Sequence, residues 1–255
     1  MGQIIGSAFS DAWPLFMSRK IVYVVLMLIA AVCWIFALNL PPAVTINYGP
    51  TMDPRVSVAI DVASGLGGLA AWFVLPAVVR TIDPSFRMTI GRFFGVLGLA
   101  IVIGVVVGVA MGVLYGLGFW LMTQGSSLTS ILGVVCMIDA IVFVLWIGIR
   151  WSQVIWSYFL GEPPNPFAAS WHVTSGQFWP TLGFVIVLSI LTSIVLAIFF
   201  GIAGFLVVAL PVAGFVAVPL AMAGYIWLLN VVYLAEIRWF VHLREHASGP
   251  AGIHA

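Results

Sequence analysis

Apolar residues follow one another for about twenty positions at a time, and polar or turn-forming residues fall almost only between these runs. Runs of spanning length lie at about 21–40, 56–79, 93–122, 128–149, 179–200 and 212–235. A helix of about 20 residues crosses the hydrocarbon core of a bilayer, so the pattern predicts six transmembrane helices. Breakers separate them: Pro41, Pro42, Asn47, Gly49, Pro50, Asp53 and Pro54 after the first, Asp83-Pro84 after the second, Gln124-Gly125-Ser126-Ser127 after the third, and Glu162-Pro163-Pro164-Asn165-Pro166 after the fourth. Residues 181–235 are almost continuously apolar and too long for one span, and Gly201, Gly204 and Pro211 are the expected turn. The first run exceeds the 7–15 residues of a signal-peptide core and no small-residue cleavage site closes it, so it reads as a retained span.

Composition agrees. Apolar residues make up 63% of the chain and charged residues 7%, with a mean hydropathy of +1.21. Soluble domains carry about 25% charged residues to face water. Nine basic and eight acidic residues cannot coat a water-exposed particle of 255 residues. The net charge of +1 offers no broad basic field for nucleic acid. The predicted fold is an all-α polytopic membrane protein with no separate soluble domain.

The basic residues orient it. Arg19 and Lys20 precede the first run, Arg80, Arg87 and Arg92 lie between the second and third, Arg150 ends the fourth, and Arg238 and Arg244 follow the sixth. Only Arg55 falls on the other side. Cytoplasmic loops carry such an excess of Lys and Arg, so both termini are expected in the cytoplasm, as an even number of spans also requires.

Three 19-residue segments, starting at Ala12, Ser85 and Ser170, align without gaps. One column holds Trp13, Phe86 and Trp171; another holds Ser18, Gly91 and Gly176; the next holds Arg19, Arg92 and Gln177. The second and third copies share G-[RQ]-F-[FW]-x-x-L-G, at Gly91–Gly98 and Gly176–Gly183. Each copy reads as a short interfacial helix, a small-residue elbow and a spanning helix, with aromatic rings at headgroup level. The six spans then form three elbow-plus-hairpin repeats, at about 5–79, 80–149 and 165–235, ahead of a short tail at 239–255. The alternative is that the matched rings are aromatic-belt residues at span starts.

The third copy, with its proline-rich turn, Phe167-Ala-Ala-Ser170-Trp171 and Gly176-Gln-Phe178-Trp179, resembles the membrane domain of glycerophosphoryl diester phosphodiesterases and related six-span bacterial inner-membrane proteins. In fused members of that family a separate soluble domain performs the hydrolysis. The resemblance therefore implies a fold and a bacterial inner-membrane location, and carries no catalytic residue to this chain.

Ionisable groups at bilayer depth are functional candidates by default. Asp139 lies midway along the fourth run and Asp61 near the outer end of the second. Asp139 and Arg150 share a helix face about 16 Å apart and cannot pair directly. Asp139 either faces a polar cavity, where it relays protons or binds a cation, or is a capped structural carboxylate. No histidine falls mid-membrane, since His172 is in the third elbow and His242, His246 and His254 are near the end. Cys33 and Cys136 sit in apolar runs and form no metal-binding pair. No Ser, His and carboxylate fall at one depth, so no catalytic residue, metal site or cofactor is expected.

Gly104, Gly108, Gly112 and Gly116 recur every fourth residue, as does Ala100 before them, a spacing that lets another helix approach closely. The stripe serves either packing against the second span within the monomer or docking of another copy or another membrane protein. Arg80, Arg87, Arg92 and Arg150 form a candidate site for lipid headgroups, or act only as topology determinants. The expected function is non-enzymatic, a scaffold or accessory subunit packing against membrane lipids or a membrane-protein partner. The competing expectation is a small transporter or lipid carrier using Asp139 or Asp61.

Overall fold

In the computed structural model, residues 1–38, 54–161 and 165–247 are described, without the side chains of 36–38, 54–64, 67, 208 and 211. Among the described residues every regular element is helical: α1 (Gly2–Ser18), α2 (Lys20–Leu38), α3 (Pro54–Val79), α4 (Ile90–Thr123), α5 (Ser127–Trp151), α6 (Val154–Phe159), α7 (Pro166–Thr174), α8 (Phe178–Ala209) and α9 (Gly214–Ala247). Four stretches are long and apolar enough to cross a membrane: Ile90–Thr123, Ser127–Phe159, Phe178–Val207 and Gly214–Ala247. The α1–α2 pair, bent by 80° at Arg19, makes a fifth if counted as one span. The remaining predicted run, the second, is α3, whose described apolar part is Gly68–Val79.

Local chemistry sets the boundaries. Thr89 Oγ1 accepts from Arg92 N at 3.2 Å and starts α4, and Ser126 Oγ accepts from Thr129 N at 3.2 Å and starts α5. Asn165 Oδ1 accepts from Phe167 N and Ala168 N, with Pro166 in the first turn of α7. Gly125 joins α4 to α5 with φ +75°, a conformation that favours glycine.

The chain divides into two compact units. The first comprises Met1–Phe86 and Phe184–Trp239. Its interior is lined by Tyr23, Leu26, Ala30 and Trp34 of α2, Ala70, Val74 and Val78 of α3, and Val218, Met222, Ile226 and Leu234 of α9. The α2 positions follow 3, 4, 4 spacing, the stripe that a helix turns toward neighbours. Half of the most apolar stretch of α9 is buried, against 6% for α8, so α9 is the helix around which this unit packs. Gly214 lies under the Trp34 indole and Gly224 under the Phe199 ring, and a side chain at either would displace the aromatic. Helix α1 turns Ile5, Ala8 and Ala12 inward. Phe9 packs edge-on to Trp227 at 5.7 Å, and Arg238 reaches Ser7 and Asp11.

The second unit comprises Arg87–Gly183 and Phe240–Ala255. Here α4 and α5 form an antiparallel hairpin. Below it Ser170 Oγ of α7 donates to Arg150 O at 2.7 Å, Trp171 meets Trp146 edge-on at 4.9 Å, and Phe167 meets Trp151 at 5.0 Å.

At three places the structure adds to the sequence reading. Gly201 and Gly204 lie inside α8, and the break between the last two spans is confined to Leu210–Ala213. Glycine is tolerated inside apolar spanning helices, where no water competes for the backbone hydrogen bonds. Within the segment 239–255, α9 continues as far as Ala247, with Trp239, Phe240 and Leu243 buried. The aligned segments also differ locally. The first and third run helix, break, helix, the latter at Gly176 with φ +76°, whereas residues 86–89 of the second are non-helical and Gly91 falls in the first turn of α4. After Pro84, Thr89 is the residue that restarts the helix, leaving no elbow helix in that copy.

Candidate functional site

Helix α2 begins and α3 ends at the same end of their antiparallel hairpin, which brings two arginines together. Arg19 occupies the break between α1 and α2, its N–H donating to Phe16 O at 3.1 Å. Arg80 directly follows α3, its N–H donating to Pro76 O at 3.2 Å. With Leu15, Ser18, Ala77 and Thr81 they line a cleft of about 280 Å³.

The charges of this cleft are uncompensated. Arg80 Nε donates to Phe86 O at 3.0 Å, which holds the side chain in place without neutralising it. Asp83, the acid nearest in sequence, is engaged by Ser85, whose N–H and Oγ both donate to Oδ1, at 3.0 and 2.6 Å. Neither Arg19 nor Arg80 forms an ion pair among the described residues. Ser18 Oγ and Thr81 Oγ1 donate to Leu15 O and Val78 O, each at 2.7 Å, which leaves both oxygens able to accept. The lining of the cleft thus contains two arginines and no acidic residue.

The other arginines named from sequence do not join it within this unit. Arg87, Arg92 and Arg150 belong to the second unit. Arg92 Nη1 donates to Arg87 O at 3.1 Å. The Arg150 guanidinium stands over the Trp171 ring at 5.1 Å, a cation–π contact, with Nε and Nη1 enclosed. Proximity along the sequence groups Arg80 with Arg87 and Arg92 and leaves Arg19 outside that set. The hairpin itself was the signal, since the residue before one span and the residue after the next share an end.

One further pair at the chain ends is compensated. Arg238 forms an ion pair with Asp11, and its hydrogen bond holds that carboxyl below the usual carboxylate range. The rings of His242 and His246 lie 4.1 Å apart, tilted by 57°, on the last turns of α9. Among the described residues no three potential metal ligands gather.

Asp139 lies midway along α5, exposed, in the wall of an open groove of about 750 Å³. Leu114 of α4, Phe143 and Trp146 of α5, and Phe178 and Trp179 of α8 line the rest. The side chain of Asp61 lies outside the described residues. The glycine stripe on α4 is open: a Cβ at Gly104, Gly108, Gly112 or Gly116 would meet no atom within 4 Å. Helix α4 instead meets α5 two residues beyond the stripe, at Gly118 and Gly133.

No family model matches the chain, and neither a curated protein nor a solved structure matches it.

Proposed function

We propose that this chain is a non-enzymatic six-span protein of the bacterial inner membrane, a scaffold or accessory subunit that holds anionic phospholipid at its cytoplasmic face. The observation that carries this reading is the cleft in which Arg19 and Arg80 face one ligand-sized space with no acidic partner. Basic residues predominate on the face assigned to the cytoplasm, and anionic headgroups are concentrated in that leaflet. Each arginine near such a surface contributes about 1 kcal/mol, so two acting together give about 2 kcal/mol, roughly thirtyfold in affinity. The open glycine stripe on α4 adds a face at which a second copy or a partner helix packs closely.

The test is gentle extraction from the native membrane followed by mass spectrometry of the intact particle and of its lipids. Stoichiometric anionic phospholipid is expected to be retained through detergent exchange, with zwitterionic lipid lost. Retention of both lipid classes in proportion to the membrane would contradict the reading.

A further inference from the structure

The groove beside Asp139 is made of aromatic and aliphatic walls around one carboxylate. Asp139, Val142, Phe143 and Trp146 stand at i, i+3, i+4 and i+7 on α5, a single helical face, and Phe178 and Trp179 close the space from the start of α8. Its volume, about 750 Å³, is that of a site for a small organic molecule. No lysine or arginine lines it, and Asp139 has neither ion pair nor hydrogen bond among the described residues.

The geometry points to a binding site for a hydrophobic organic cation, an ammonium or phosphonium centre carrying apolar groups, with Asp139 as counter-ion and Trp146 and Trp179 as aromatic walls. Each alternative ligand class leaves something in the groove unused or unmet. An anion would meet a like charge. A sugar or nucleotide needs many hydrogen-bonding partners, and the groove supplies one polar side chain. A neutral hydrocarbon would fit the walls but would leave a carboxylate unpaired at bilayer depth, where such a charge is costly. A cation with an apolar body meets all three features at once, because its charge offsets the carboxylate, ring faces attract cations, and its substituents match the walls. The same unit already uses this chemistry at Arg150 over Trp171. The inference is independent of the lipid reading, since the Arg19–Arg80 cleft lies in the other unit and binds the opposite charge.

The experiment measures equilibrium binding of radiolabelled tetraphenylphosphonium to the full chain in detergent, with tetraphenylborate, of the same shape and opposite charge, as competitor. Saturable binding is expected near one equivalent, with no displacement by the borate. Asp139→Asn, which removes a charge that touches no neighbour, is expected to weaken binding at least tenfold. Trp179→Leu, at a residue 76% exposed whose loss leaves the interior intact, is expected to weaken it severalfold. The unfolding temperatures of both variants, unchanged, would separate loss of the site from loss of the fold. Absence of saturable binding, equal displacement by the borate, or unaltered affinity in a folded Asp139→Asn protein would each overturn the inference.

Discussion

Gly118 of α4 and Gly133 of α5 face one another so closely that neither accommodates a side chain. A Cβ on Gly118 would lie 2.8 Å from the carbonyl oxygen of Gly133, and a Cβ on Gly133 would lie 2.5 Å from that of Gly118. Backbone atoms stand on both sides of the contact, so no rotamer change relieves it. This pair, and not the every-fourth stripe before it, is where the hairpin closes.

Gly118→Val or Gly133→Val should therefore separate α4 from α5 and destabilise the protein by about 1–3 kcal/mol, the usual range for overpacking. Gly108→Val should leave the unfolding temperature of the isolated protein unchanged, because its Cβ enters open space. Thermal unfolding followed by size-exclusion chromatography checks both. Equal damage at Gly108 and Gly118 would contradict the assignment.

Gly176 at the third elbow and Gly91 in the second copy occupy the same aligned column but adopt different backbone conformations. Gly176 has φ +76°, so Gly176→Ala should cost about 1 kcal/mol or more from left-handed backbone strain. Gly91→Ala, the equivalent change in the second copy, replaces a glycine in the first turn of α4 and should be neutral or slightly stabilising. Comparison of the unfolding temperatures of the two variants tests this directly.

Asp11 and Arg238 tie α1 to α9. The folded carboxyl is held below its ordinary value, so its contribution is present above the ordinary carboxylate range and is lost as pH falls through the lowered folded value. Because Asp11 is largely exposed, the contribution is at most about 1 kcal/mol. Hydrogen exchange in α1 should be faster in Asp11→Asn than in the parent at neutral pH. The two should converge once acid protonates the parent. A difference that persists at low pH would assign the effect to something other than this pair.

Much of the architecture was legible in the sequence because a bilayer imposes one rule: apolar runs of spanning length become helices. The starts of α4, α5 and α7 could be read from Thr89, Ser126 and Asn165, whose short side chains cap the helices they precede. The end of α8 could not be read as securely. Gly201 and Gly204 look like breakers by the standards of soluble proteins, yet in an apolar surrounding the helix keeps its internal hydrogen bonds through them and ends only at Leu210–Ala213. The missing second elbow has a local cause, since Pro84 and the capping Thr89 leave too little chain for another helix between them.

The sites were less legible, for a geometric reason. Arg19 and Arg80 are 61 positions apart, and only the antiparallel pairing of α2 and α3 brings them to one cleft. Grouping arginines by proximity along the chain joined Arg80 to Arg87, Arg92 and Arg150 and left out its partner. Asp139 was visible as an acid in an apolar run. The walls around it come from three helices, so neither the groove nor its aromatic character could be read from α5 alone.

The most direct measurement is a titration of the purified protein with phosphatidylglycerol and with phosphatidylcholine, read by native mass spectrometry, for the parent chain and for Arg19→Gln combined with Arg80→Gln. The account predicts preferential binding of phosphatidylglycerol to the parent and loss of roughly thirtyfold in that preference in the double variant. Unchanged preference in the double variant, or equal binding of the two lipids by the parent, would contradict the claim that the Arg19–Arg80 cleft holds an anionic headgroup.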